Sequence, residues 1–221
     1  MCIRDRLFIG SDGSILGRHR KLKPTHRERT AWGEGDGSSL TVYHRPYAKI
    51  SGLNCWEHNM VLPGYVLMSQ GTQVHIAAWP GNCVTRHGLL SRAFASQAGA
   101  YVIDVGGLLS ADRIAEPYRK LADRVPESYR RLVTGYPGES CIIDPKGEIV
   151  AGPGDGETTV IADCSMEDIL AAKAACDVAG HYSRPDVFRL HVNRTSRQPV
   201  VGVAEHESET VEFKDGFERR S

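Results

Sequence analysis

The chain has 221 residues, 41% hydrophobic and 24% charged, an ordinary composition for a soluble globular protein of one domain or one and a half. Its 27 Lys and Arg are balanced by 27 Asp and Glu, which argues against a nucleic-acid partner and against a membrane-surface role. No apolar run approaches transmembrane length and no signal-type apolar core is legible in the first residues, so the expected location is cytoplasmic. Six cysteines, at positions 2, 55, 83, 141, 164 and 176, form no CxxC pair and match no zinc spacing. They read as free thiols of a reducing compartment.

Residues 1–6, MCIRDR, fit poorly with the segment after them. Residues 7–20 predict a hairpin around Ser11-Asp12-Gly13. A domain that starts directly on a hairpin strand looks cut, so a missing N-terminal part is expected, with residues 1–6 an artefact of assembly. The basic run at 18–29, RHRKLKPTHRER, lacks interleaved aromatics for base stacking. It reads as a solvated loop or as a cationic active-site loop in which a lysine stabilises developing negative charge. Residues 33–39, GEGDGSS, lack the GK[ST] of a phosphate loop and read as a turn before a strand at 40–44.

Residues 50–80 predict strand, sharp turn, amphipathic helix, strand. Cys55 falls where the first strand gives way to the helix. A turn there exposes the side chain and aims the following backbone N–H groups at whatever the sulfur attacks. Taken alone, Cys55 reads first as a buried free thiol, and the rest of the chain shifts that balance. Further on, 89–100 predicts a helix ended by Gly99, and 101–105 a strand. Helices are expected at 113–121 and 127–133, and a hairpin at 140–151 around Pro145-Lys146-Gly147. A strand at 159–163 precedes a helix at 166–179, capped by Ser165 and ended by Gly180. Residues 181–194 read as extended. Alternating strands and helices with hairpins predict a layered α/β fold whose sheet is not purely parallel.

Three segments together resemble the nitrilases of the carbon-nitrogen hydrolase superfamily. Residues 20–30, RKLKPTHRERT, followed by Gly33-Glu34-Gly35-Asp36-Gly37, resemble their lysine loop. Gly52-Leu53-Asn54-Cys55-Trp56-Glu57-His58, continued by QVHIAAWP at 73–80, resembles their nucleophile segment, and residues 180–188, GHYSRPDVF, their C-terminal signature. The Cys-Trp-Glu-His context points to true nitrilases and cyanide-hydrolysing relatives over the amidase branches.

The resemblance implies an α-β-β-α sandwich, here missing its first strands and helices. It would cover residues 7–194, with 195–221 a polar, mobile tail. It implies Cys55 as nucleophile, Lys21 as the lysine of a Glu-Lys-Cys triad, and Glu28 as a second glutamate that supports the site. The family's general-base glutamate lies upstream of the lysine, and no residue in 7–20 is Glu. Trp56, Glu57, His58 and Trp79 are the expected substrate-binding residues; Glu57 and His58 read equally as helix caps, and the two tryptophans as core. The implied reaction converts a small-molecule nitrile to a carboxylic acid and ammonia through a cysteine thioimidate and thioester. No metal or organic cofactor is implied, and association into dimers or spirals is. The alternatives are an amide or carbamoyl hydrolase of the same superfamily, and a catalytically impaired fragment acting only in self-association.

Overall fold

The computed structural model describes residues 5–80, 86–110, 116, 120, 124 and 135–197. It opens on the hairpin of β1 (Asp5–Ile9) and β2 (Ile15–Arg20). The turn is the expected one: Gly13 has φ +82°, the Gly10 N–H donates to the Ser14 carbonyl at 2.8 Å, and Asp12 accepts from the Ser14 N–H at 3.1 Å. Two short 3-10 turns come next, His26–Thr30 and Gly37–Ser39. Then come β3 (Tyr43–His44), β4 (Lys49–Asn54), a 3-10 turn (Cys55–Asn59) and α1 (Val61–Ser69). β5 (Val74–Trp79), α2 (Arg86–Ala98) and β6 (Tyr101–Gly106) complete the central part. β7 (Leu108–Leu109), β8 (Tyr136–Pro137), β9 (Cys141–Ile143), β10 (Ile149–Ala151) and α3 (Met166–Ala175) close the chain.

The main sheet has six strands in the order β10-β9-β6-β5-β4-β3. β4, β5 and β6 are parallel, joined by the crossover helices α1 and α2; the outer strands are antiparallel. The mixed α/β architecture is thus the expected one. Parallel strands are covered on both faces and so carry near-continuous apolar runs, as in Leu53, Ala77, Trp79 and Val102, all buried. α2 lays Phe94, Ala95 and Ala98 on this core. Leu40, Val42, Leu53, Val66 and Leu67 form a second cluster, and Ile169 of α3 packs with Tyr101 and Ile142. The β1–β2 hairpin is a separate sheet. It docks through Phe8 against Tyr43 (ring centroids 4.4 Å apart) and through the Arg6 guanidinium, which donates to the Leu53 carbonyl at 2.9 Å and to that of Ile76. Leu7, Ile9 and Ile15 are exposed.

Several expectations are corrected. The strand at 40–44 shrinks to Tyr43–His44, because Gln70 takes the place of a strand neighbour: its amide accepts from the Val42 N–H at 3.2 Å and donates to the Leu40 carbonyl at 3.0 Å. Residues 159–163 pair with no strand, and Ile161 is exposed. The last helix stops at Ala175, short of 179, because the Asp177 carboxylate takes the N–H groups of Ala179 and Gly180 (3.1 and 3.0 Å), a local turn that competes with the helix. Residues 181–187 fold into turns, with the Arg184 carbonyl accepting from the N–H groups of Val187 and Phe188. α1, expected to be amphipathic, is apolar on both faces, with Val61 and Leu62 exposed and Val66, Leu67 and Met68 buried. Of the expected helix at 113–121, Glu116 and Lys120 are described, both helical and paired at 2.9 Å; the rest of it, the expected helix at 127–133 and the tail beyond 197 lie outside the described residues.

At the end of β6 the backbone of Gly106 lies so close to Gly138 that a Cβ would overlap the Gly138 carbonyl oxygen. Backbone cannot rotate away as a side chain can. Gly106→Ala is therefore expected to cost about 1–3 kcal/mol, whereas Gly33→Ala, which meets nothing, stays within about 0.5 kcal/mol of the parent. Urea midpoints of the two variants measure this, and equal midpoints would refute the close-packing argument.

Candidate active site

Cys55 directly follows the carboxyl end of β4, where ligands bind in open α/β sheets. Its φ is +56°, the left-handed region that a non-glycine residue enters at a cost on the order of 1 kcal/mol. The surroundings hold it there. Glu57 accepts from the Asn54 N–H at 2.8 Å, and the Cys55 carbonyl accepts from His58 Nδ1 at 2.8 Å. This turn aims the Trp56 N–H at the Cys55 sulfur.

Lys21 follows β2 and is fully buried. Its Nζ donates to Glu28 Oε2 at 2.7 Å and to Thr25 Oγ1 at 2.8 Å. Glu28 Oε2 also takes the Thr25 N–H at 2.6 Å, so Glu28 caps the 3-10 turn and orients the lysine at once. Lys21 and Glu28 are close enough to Cys55 to act on its thiol electrostatically. Burial pushes the Cys55 thiol above its ordinary value; Lys21 and the Trp56 N–H pull it down, while Glu28 and Glu57 push it further up. The net push is upward and favours the thiol over the thiolate.

Glu57 is buried and fully engaged. Besides Asn54 it accepts from the Leu22 N–H at 2.7 Å and from His19 Nε2 at 3.1 Å. Burial opposes its ionisation, but the His19, Leu22 and Asn54 donors outweigh burial and hold the carboxyl below its ordinary value. Trp79, also buried, donates to Ser91 Oγ at 3.0 Å and stacks on His58 (4.9 Å). Behind Cys55 runs a buried polar chain: His58 Nε2 to His75 Nε2 at 3.1 Å, His75 Nδ1 to Ser51 Oγ at 2.7 Å, and Ser51 Oγ to Thr72 Oγ1 at 3.0 Å. His75 stacks on Phe94 at 3.9 Å.

Of the residues expected to act together, Lys21 and Glu28 are bonded to each other and both act electrostatically on the Cys55 thiol. Of the expected substrate-binding set, Glu57 and Trp79 are occupied with interior bonds, His58 holds the Cys55 carbonyl, and Trp56 is half-buried against the core. Arg184 and Asp186, within the C-terminal signature segment, pair with each other at 2.7 and 2.8 Å. Cys83 lies outside the described residues. Sequence reasoning missed Thr25, although Thr25-x-x-Glu28 is a legible capping box, and missed the roles of Ser51 and His75. Among the described residues no group of three or more His, Cys, Asp or Glu could hold a metal ion.

The buried groups set opposing pH responses. Burial pushes His58 from 6.5 down to about 4. Its contribution to stability is complete above pH 6.5 and is lost as pH falls toward 4, up to roughly 3 kcal/mol. His75 and Glu57, both held low, add losses on the acid side. Asp104, buried in β6, is pushed up from 3.8 to about 7, so its contribution is complete below 3.8 and is lost as pH rises through 7. Asp104→Asn removes this opposing response. The variant is expected to lose stability more steeply than the parent as pH falls from 6.5 to 4; in the other direction it gains on the parent as pH rises from about 4 to 7 and keeps that gain above 7. Urea midpoints from pH 4 to 8 test both, and curves parallel to the parent's would contradict the assignment.

Known proteins match this chain in family and in fold. The family model for carbon-nitrogen hydrolase matches residues 3–174. Nitrilase 2 from an unknown prokaryotic organism is 54% identical over 196 residues, 88% of this chain and 60% of that protein. An aliphatic nitrilase from Rhodococcus rhodochrous is 37% identical over 207 residues, 88% of this chain and 55% of that protein. The chain thus spans 55–60% of the length of these relatives. Among solved structures, Saccharomyces cerevisiae Nit3, a member of branch 10 of the nitrilase superfamily, superimposes with a TM-score of 0.60 at 20% identity, covering 80% of this chain and 59% of that one. With a mixed sheet of this topology, a cysteine elbow at the end of β4 and a family match across most of its length, the chain belongs to the carbon-nitrogen hydrolase family.

Proposed function

We propose that the chain carries the site of a nitrilase, hydrolysing a small nitrile to a carboxylic acid and ammonia. The observation that carries this reading is the convergence of the Lys21–Glu28 pair on Cys55, whose left-handed turn points the Trp56 N–H at the sulfur. The nitrilases among the relatives support a nitrile over an amide.

A nitrile carbon is a weak electrophile and needs both a strong nucleophile and a cation beside its nitrogen. Cys55 sulfur attacks the carbon, and the thiol proton ends on the nitrogen, giving a thioimidate. Thr25 and Glu28 occupy two of the three Nζ hydrogens of Lys21, which leaves the third for the substrate nitrogen. Water adds to the thioimidate carbon, ammonia leaves, and a thioester remains on Cys55. A second water releases the acid and restores the thiol. Both carboxylates near the sulfur are committed, Glu28 to Lys21 and Thr25, Glu57 to His19, Leu22 and Asn54. They orient, and the two water steps call for a further general base. Self-association belongs to the same reading: Val61, Leu62, Tyr182, Val187 and Phe188 form an exposed apolar strip along a cavity of about 670 Å³.

Ammonia release from a panel of small nitriles, with Cys55→Ala and Lys21→Met beside the parent, tests the proposal. Cys55→Ala is expected to abolish release and Lys21→Met to reduce it about 10²–10³-fold. Cys55-dependent release from the chain as it stands would support the reading and would mean that Glu28 or another acid can leave its resting bonds to serve as the base. No release from a folded parent, persisting after a glutamate-bearing upstream segment of a relative is restored, would sink the nitrilase reading.

A further inference from the structure

The chain behind Cys55 has a direction. The Cys55 carbonyl can only accept, so His58 Nδ1 carries a proton. The two Nε2 atoms, 3.1 Å apart, share one hydrogen. Both rings sit in an apolar slot between Trp79 and Phe94, and burial holds both neutral. A neutral His58 protonated at Nδ1 accepts at Nε2, so His75 donates from its Nε2. His75 then accepts at Nδ1, and Ser51 Oγ must donate to it at 2.7 Å. With its own hydrogen committed to His75, Ser51 can only accept from Thr72 Oγ1, whose single hydroxyl hydrogen it shares with the Leu67 carbonyl at the end of α1. From Ser51 to the carbonyl of the residue in the left-handed turn, each donor and acceptor is fixed by the next group.

We propose that Ser51, His75 and His58 form a positioning relay that holds the Cys55 carbonyl, and through it the left-handed conformation that keeps the sulfur beneath the Trp56 N–H. This assigns His58 and His75 a role on the protein side of the site, away from substrate. It rests on the reading of Cys55 as the nucleophile. A carbonyl released from His58 lets Cys55 relax toward negative φ, which withdraws the sulfur from the Trp56 N–H and weakens a stabiliser of the thiolate. The charged and titratable groups around this unit are Arg6 from β1, His19 from β2, Lys21 and Glu28 from the loop after β2, and Glu57 of the turn itself.

The test reads the thiol directly: the rate of Cys55 carboxamidomethylation by iodoacetamide as a function of pH, located by mass spectrometry, in the full chain. His58→Leu removes the donor and keeps the bulk. His58→Asn keeps an N–H donor at the position of Nδ1. Ser51→Ala cuts the relay two bonds from Cys55. His58→Leu is expected to slow alkylation about tenfold at pH 7, to move the pH midpoint upward, and to be largely rescued in His58→Asn; Ser51→Ala is expected to fall between. Parent-like rate and midpoint in folded His58→Leu overturn the relay, as does equal slowing in Leu and Asn variants, which would mark a packing role. If His58→Leu does not fold, Ser51→Ala decides, and a parent-like profile there overturns the proposal. Alkylation needs no turnover, so an enzyme silent on every nitrile would count against the nitrilase reading and leave this result standing.

Discussion

One carboxylate ties the two halves of the site together. Glu57 lies three residues after Asn54 in the elbow, yet its oxygens also take the N–H of Leu22 and the imidazole of His19, on the far side of the hairpin. Leu22 is the neighbour of Lys21. The bond at 2.7 Å therefore places the lysine loop against the cysteine turn. A buried carboxylate is costly unless every lone pair is met. Three donors meet this one, so it is a fixed acceptor and a rigid corner.

Around that corner the interior is divided into two electrostatic regions. On one side Lys21 and Glu28 form a compact, buried ion pair whose orientation is set by Thr25. On the other, His58 and His75 are kept neutral by burial between aromatic rings. The Cys55 sulfur stands between them. Its carbonyl belongs to the neutral side and its thiol to the charged side, so one residue joins a structural network to a chemical one.

Much of the fold was legible in sequence because its signals are local. The apolar runs of β4, β5 and β6, the Asp12-Gly13 turn, the Ser165 cap and the Pro145–Gly147 hairpin each depend on a few adjacent residues. Where reading failed, a side chain from elsewhere had taken over a backbone's partners: Gln70 for residues 40–42, Asp177 for the end of α3. The site divides the same way. Cys55, Lys21 and Glu28 could be named from residue type and motif. That Glu57 faces inward could not, because its partners at 19 and 22 are distant in sequence. A serine and a histidine on adjacent parallel strands, Ser51 opposite His75, become a pair only once the register is known.

The charge balance explains why the thiol is favoured over the thiolate at rest. Lys21 is one cation, and Glu28 already neutralises it at 2.7 Å. Glu57 adds a second negative charge nearby, so ionising Cys55 would place a third anion in a poorly hydrated corner. A site built this way does not hold a standing thiolate. On the proposed nitrilase reading, such a site would favour attack in which the sulfur's proton is passed on as the carbon–sulfur bond forms, so that no uncompensated anion persists. The buried Lys21 would then act on the charge that develops at the far atom of the substrate, and the desolvation that penalises a resting thiolate would strengthen that interaction. On that reading one burial accounts both for a quiet resting sulfur and for stabilisation of the state the reaction passes through.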